Sequence, residues 1–202
     1  MSNLSFGGKQ ILLGGDVSHH NYGEINPALF DFVWIKATEG RTYKDPKMVE
    51  FLTDMAEQCG SDDVPFIGFY HYARAEKNMP EEEADNFIKT IEPHIGNCLM
   101  ALDWEGESVN INQSWAVRWL NRVKELTGHT PLIYTSGSVT KKLDVVATAG
   151  YPLWVAHYIK AGVKKPTFYN WSDYKFWQFT NAPFDIDIFK GSRADLVTLI
   201  NS

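Results

Sequence analysis

Short apolar runs alternate with stretches of helical period along this chain, and that rhythm leaves few folds open. Gln10–Val17, Phe32–Thr38, Pro65–Ala73, Cys98–Glu105 and Pro131–Thr135 read as strands; apolar runs of this length suit strands covered on both faces of a parallel sheet. Helix signals fill the gaps between them. Asp45 and Pro46 make an N-cap followed by proline, after which Met48, Leu52, Met55, Ala56 and Cys59 recur at helical spacing. Asn78 opens a second helix, with Glu81, Glu82 and Glu83 placed where the helix dipole favours them and Ala84, Phe87, Ile88 and Ile91 on its buried face. A third runs from Asn112 to Thr127, with Trp115, Trp119, Val123 and Leu126 inward and Gly128 as the stop. After Gly150 the pattern changes. Pro152–His157, Lys175–Thr180 and Asp185–Phe189 read as strands with little helix between them, and a last helix covers Arg193–Ile200. Eight strands, the last three nearly helix-free, suit a closed α/β barrel in which βαβ repeats favour parallel pairing.

The 202 residues fit one domain with one core, and residues 1–202 read as a single barrel domain without repeat, low-complexity stretch or linker, leaving no room for a separate wall-binding module. The net charge of −6 repels phosphate backbones and excludes nucleic acid as a natural partner. No apolar run reaches the length of a membrane span, so no membrane insertion is expected. MSNLSFGGKQ lacks the basic-then-apolar pattern of a signal peptide. Aromatic residues reach 14%, which fits either stacking on sugar rings or a tryptophan-rich core. Cys59 and Cys98 do not make a disulfide scaffold and read as two buried thiols.

In β/α barrels the chemistry sits at the C-terminal ends of the strands, so the residues ending each strand are the candidates. Asp103 and Glu105 are the sharpest feature. Residues i and i+2 share one side of a strand, and two carboxylates this close cannot both ionise freely. A proton held near neutrality is what a general acid needs to protonate a glycosidic oxygen. A solvated strand end or a metal-binding pair would give the same two letters. Asp16 and Asp185 come from the first and last strands, neighbours in a closed barrel; singly each is a loop cap, but with Asp103 and Glu105 they form a four-acid rim. His19 and His20 are adjacent and diverge in an extended segment, and His71 and His157 read as barrel-filling or hydrogen-bonded residues, so no metal site and no cofactor are expected. The glycine-free TNAPF segment before Asp185 disfavours a phosphate site.

These residues resemble the glycoside hydrolase family 25 lysozymes. The resemblance is carried by GGDVSHHNYGEIN (14–26), FVWIKATEGRTYKDP (32–46), IGFYHYAR (67–74), ALDWEGE (101–107), PLIYTS (131–136), LWVAHY (153–158), FWQFT (176–180) and FDIDIFKG (184–191), in the family's order. It implies a TIM-like barrel of (β/α)5(β)3 type and hydrolysis of the β-1,4 bond between N-acetylmuramic acid and N-acetylglucosamine. By motif, Glu105 is the implied general acid, and Asp103 supports a retaining mechanism in which the substrate acetamide attacks. Asp16 and Asp185 complete the acid set, and Lys36, Tyr70, Tyr72, Tyr134, Trp177 and Gln178 match pocket-lining positions. The sequence departs from the family at His20 and Asn21, where an aromatic and a glutamine are frequent, and at Asp187, where asparagine is common. The implied partner is the glycan strand of bacterial peptidoglycan, met by a monomer at the cell wall, with release through a phage-type pore one route to it.

Three other readings fit parts of the pattern. A silent barrel could bind glycan, but a pure binder has no use for a proton-holding acid beside a second carboxylate. A chitin-directed glycosidase would share the acids. A Schiff-base aldolase on Lys36 is disfavoured, because the acids lie on other strands and no phosphate loop is present.

Overall fold

The structure, a computed structural model, describes residues 5–6, 9–23, 25–59, 64–158 and 165–202. Eight strands close a barrel: β1 (Leu12–Val17), β2 (Phe32–Glu39), β3 (Phe66–Tyr72), β4 (Leu99–Asp103), β5 (Leu132–Ser136), β6 (Leu153–Ala156), β7 (Phe176–Thr180) and β8 (Ile186–Phe189). Each pairs with its chain neighbours, and β1 closes the ring by pairing with both β2 and β8. A hairpin of Ser5–Phe6 with Lys9–Gln10 precedes the barrel, and Tyr43–Lys44 adds antiparallel to the end of β2.

Pairing is parallel from β1 through β7, as the βαβ repeats lead one to expect. The last strand corrects that expectation: β8 runs antiparallel to both β7 and β1. Only residues 181–185 separate it from β7, and a parallel return needs a crossover of about a dozen residues or more. The reversal matters for the site. It brings the start of β8, not its end, to the rim formed by the C-terminal ends of the other strands.

Around the barrel lie α1 (Met48–Cys59), α2 (Pro80–Ile91), α3 (Ser114–Thr127), the short α4 (Asp144–Thr148) and α5 (Arg193–Ile200). Asp45 accepts the Lys47 N–H just ahead of α1, and Gly128 ends α3 in the left-handed region (φ 77°) that a side chain would disfavour. The buried faces differ from the sequence reading in three places. Phe51 on α1 is buried while Ala56 is exposed and Cys59 half-buried; Leu126 on α3 is exposed; and Glu83 on α2 is fully buried. Cys98 is buried, and burial pushes its thiol up to about 12.

Two apolar layers result, because successive residues of a strand face opposite sides. Val33, Ile35, Phe69, Leu102, Ile133 and Val155 pack outward against the helices. Phe32, Trp34, Leu99, Ala101, Leu132, Trp154 and Phe176 fill the barrel, with Leu196 and Ile200 of α5 joining them from the end remote from the rim. Trp34 and Trp154 stack at 4.5 Å between centroids. Gly14 and Gly68 make that filling possible: a Cβ on Gly68 would lie 2.3 Å from the Trp34 ring, and one on Gly14 2.2 Å from Phe32. Among the described residues, no helix is long and apolar enough to cross a membrane.

Candidate active site

The apolar filling stops one layer below the rim, where the inward-facing positions turn polar. Asp16 ends the inward row of β1, Lys36 that of β2, Tyr70 and Tyr72 that of β3, Asp103 that of β4, Tyr134 lies on β5 and Gln178 on β7. Together with Glu105 and Asp185 they line one cavity of about 410 Å³. Glu105 lies beyond the end of β4, but its backbone stays extended (φ −145°, ψ −166°), which keeps it on the Asp103 side. The four acids therefore meet at one rim, with β8 entering from the opposite direction to supply Asp185.

Trp177 is the exception. It is 1% exposed, packs in the outer layer against the helices, and donates its indole N–H to the His157 carbonyl at 2.9 Å. Gln178 faces inward, so its neighbour must face outward. The sequence reading of Trp177 as a pocket-lining residue is corrected accordingly.

A hydrogen-bond chain crosses the cavity floor. Gln178 Nε2 donates to Asp16 Oδ2 at 2.6 Å, and its Oε1 accepts from Tyr134 Oη at 2.9 Å and Tyr158 Oη at 2.8 Å. On the other flank Lys36 Nζ meets Glu39 Oε2 at 2.7 Å, Arg74 grips the same carboxylate at 2.6 Å, and Tyr72 lies beneath both cations, 4.8 Å from Lys36 Nζ and 5.2 Å from the Arg74 guanidinium. Lys36 is thus committed to an ion pair, and those contacts hold Glu39 below its usual acidity range against the effect of burial.

The acids of the rim are pushed the other way. Burial, then the Glu105 charge, raises Asp103 well above the ordinary carboxylate range. Burial and the charge of Asp185 raise Glu105, against the pull of Lys36. Burial and Asp185 bring Asp16 to about 7, and burial raises Asp185. Desolvation outranks charge repulsion in every case. Asp103 Oδ1 is buried with no hydrogen-bond partner among the described residues, so the site holds an acceptor that the protein itself leaves unsatisfied. Such a set can hold a proton near neutrality beside a second carboxyl able to take a donor.

A second compartment of about 540 Å³ shares Glu105, Tyr134 and Tyr158 with the first and is walled by Ser136, Ser138, Lys141, His157 and Tyr169. Glu105 therefore stands between two chambers of one groove. The sequence reading placed Glu39 and Tyr158 at strand ends but did not count them, or Arg74 and Trp154, among the site residues. Tyr158 could have been found by parity, since it continues the inward row of Trp154 and Ala156; the ion pair of Glu39 with Arg74 joins the end of β2 to the loop after β3 and has no local signal.

His71 is wholly buried outside the barrel, bonded to Thr38 and to Glu83 and stacked on Trp119. Glu83 also accepts from the Arg74 N–H and Asn78, so it ties α2 to the end of β3 rather than serving the helix dipole alone. His19 is held by Asp45, and the Nδ1 of His157 accepts the Thr167 N–H. Among the described residues, no group of three or more His, Cys, Asp or Glu is arranged to hold a metal ion.

A β/α barrel whose mouth carries raised carboxyls in an open two-chambered groove has the parts that glycoside hydrolysis requires. Residues 15–187 match the glycosyl hydrolases family 25, and the chain belongs to that family. It is 33% identical over 149 residues to the autolytic lysozyme of Clostridium acetobutylicum, a match covering 72% of this chain and 43% of that protein. It is 29% identical to lysozyme M1 of Streptomyces globisporus, covering 94% and 71% respectively. The muramidase of Trichobolus zukalii superposes with a TM-score of 0.76 at 29% identity, over 94% of this chain and 99% of that one. The chain thus spans less than half the length of the clostridial relative.

Proposed function

We propose that the chain is a peptidoglycan lysozyme that cuts the β-1,4 bond from N-acetylmuramic acid to N-acetylglucosamine, acting as one catalytic unit on the bacterial cell wall. The observation that carries this reading is the pairing of Glu105, raised and at the open boundary of two chambers, with a buried Asp103 whose Oδ1 has no partner among the described residues. Family membership and the lysozyme relatives point the same way.

The proposed chemistry starts with the muramic acid ring in the chamber of the four acids and the leaving sugar in the adjoining chamber. Glu105 gives its proton to the glycosidic oxygen as the bond breaks. The acetamide oxygen of the bound sugar attacks the anomeric carbon, and its N–H meets the unpartnered oxygen of Asp103. In the reactive form the pair holds one proton, on Glu105, and the Asp103 carboxylate gains a donor there and balances the positive ring that forms. Glu105, now a carboxylate, draws a proton from water, which opens the ring with net retention. Asp16 and Asp185 keep the opposite wall acidic and orient the ring. Lys36, Tyr70, Tyr72, Tyr134 and Gln178 hold the sugar.

Mass spectrometry of borohydride-reduced digests of purified peptidoglycan tests the bond assignment. New reduced ends must be muramitol. New N-acetylglucosaminitol ends, or no new ends at all, would overturn the proposal. Digestion of chitin without release from peptidoglycan would favour the chitin-directed alternative.

A further inference from the structure

One carboxyl inside the barrel has no part in the reaction just described. Asp187 on β8 is 0% exposed and pairs in register with Gly14, one layer beneath Asp16. Its Oδ1 accepts the Trp154 indole N–H at 2.6 Å. Its Oδ2 meets no N–H or hydroxyl donor among the described residues. The carboxyl it meets is that of Asp16, one layer above on the same inward row, which already accepts from Gln178. Two carboxyl oxygens bond only when one carries a proton. The titratable and charged groups around it are Asp16 from β1 and Asp185 from the start of β8; Lys36, Tyr70, Asp103 and Tyr134 line the cavity above. The cation among them, Lys36, is held by Glu39, and the Trp154 N–H, which favours a charged Asp187, is outranked by burial and the Asp16 charge. Burial and the Asp16 charge raise Asp187 well above the carboxylate range.

We propose that Asp187 is a positioning residue that keeps its proton throughout the working pH range and donates it to Asp16. The O–H of Asp187 fixes one side of the Asp16 carboxylate while Gln178 fixes the other. Through Gln178 the same chain orients the hydroxyls of Tyr134 and Tyr158. In effect Asp187 does the work of an amide, accepting from Trp154 with one atom and donating to Asp16 with the other. The positioning role rests on the reading of Asp16 as part of the catalytic set; the presence of the proton does not.

Asp187→Asn keeps both hydrogen bonds and removes the titrating group, whereas Asp187→Leu removes the donor. The Asn variant is expected to keep kcat within about 3-fold, and the Leu variant to lose about 10- to 100-fold in kcat with KM little changed. A group held protonated in the folded state weakens the fold as pH rises from its unfolded to its folded value. The Tm of Asp187→Asn relative to the native protein must therefore climb between about pH 4 and pH 8. An infrared difference spectrum, native minus Asn variant at neutral pH, must show the carbonyl band of a protonated carboxylic acid. A flat or falling Tm difference, a missing band, or an Asn variant as inactive as the Leu one would overturn the proposal. Should the Leu variant fail to fold, the Asn variant decides through its Tm series and its spectrum, neither of which involves substrate. Full activity in Asp16→Asn with the band present would sink the catalytic reading of Asp16 and leave the shared proton standing.

Discussion

Replacing Glu105 by glutamine removes one transferable proton and almost nothing else. The side chain stands at the exposed rim, and its neighbours in the acid set are pushed up chiefly by their own burial. Loss of a surface contact of this kind changes stability by less than about 0.5 kcal/mol, or about 2 °C in Tm for a chain of this size. The sign favours the variant. Glu105 is raised in the folded state, so its contribution is present below the unfolded value near pH 4.5 and lost as pH rises through the folded value. At neutral pH glutamine escapes that penalty, and its Tm should equal or slightly exceed the native one. Activity should behave in the opposite way. A positioned general acid contributes about 100- to 10,000-fold, so kcat on purified walls should fall by that factor with binding mostly retained. The loss should shrink on an aryl glycoside whose leaving group departs without a proton. Turbidity clearing at several pH values, with Tm measured on the same samples, checks both halves. Activity within a few-fold of native in a folded variant would assign the proton to another residue and refute the reasoning.

Two further outcomes follow from the fold and the site. Gly68→Ala places a Cβ 2.3 Å from the Trp34 ring, so the Trp34–Trp154 stack must shift; a loss of about 1–3 kcal/mol in urea denaturation is expected, and an unchanged midpoint would show that the barrel filling is looser than its glycines imply. Lysis of walls should survive exhaustive chelation, since the proposed steps move protons between carboxyls and sugar; activity lost on chelation and restored by a divalent cation would replace the acid–base scheme.

The barrel was legible because its strands are short apolar runs and its first three long helices carry a clear start or stop, as at Pro46 and Gly128. The direction of β8 was not, because apolar alternation is the same read either way, and only the short link of residues 181–185 decides it. Burial was read correctly where the period was strict, as at Trp115, Trp119 and Val123, and missed at Glu83, whose partners come from β3 and the loop after it. At the site, parity places Asp16, Lys36, Asp103 and Gln178 inward, and the same rule applied to Trp177 would have turned it outward. The network joining Gln178, Asp16, Tyr134 and Tyr158 spans three strands and the segment after a fourth, so no local stretch of sequence contains it.

The stereochemical outcome turns on where the second carboxylate lies relative to the sugar. In an eight-stranded ring β4 faces β8, so Asp185 sits across the mouth from Asp103 and Glu105. An inverting enzyme needs its base in such a place, with a water between base and sugar. Asp185 is half-exposed and could reach one. Asp16 is poorly suited, because its carboxylate is buried and already accepts from Gln178. The case for retention rests on Asp103. It lies beside the acid rather than opposite it, and its buried Oδ1 has no donor among the described residues, a place an acetamide N–H would fill. Water could not use Asp103 as a base from that side without passing through the sugar. NMR of the first-formed product separates the two: retention yields the β anomer before mutarotation, and an initial α anomer would move the base to Asp185. Two variants sharpen the result. Under retention, Asp103→Asn should lose more kcat than Asp185→Asn, and a substrate lacking the N-acetyl group should bind yet be cut slowly by the native protein. Under inversion the ranking of the variants reverses, and the N-acetyl group should matter little to kcat.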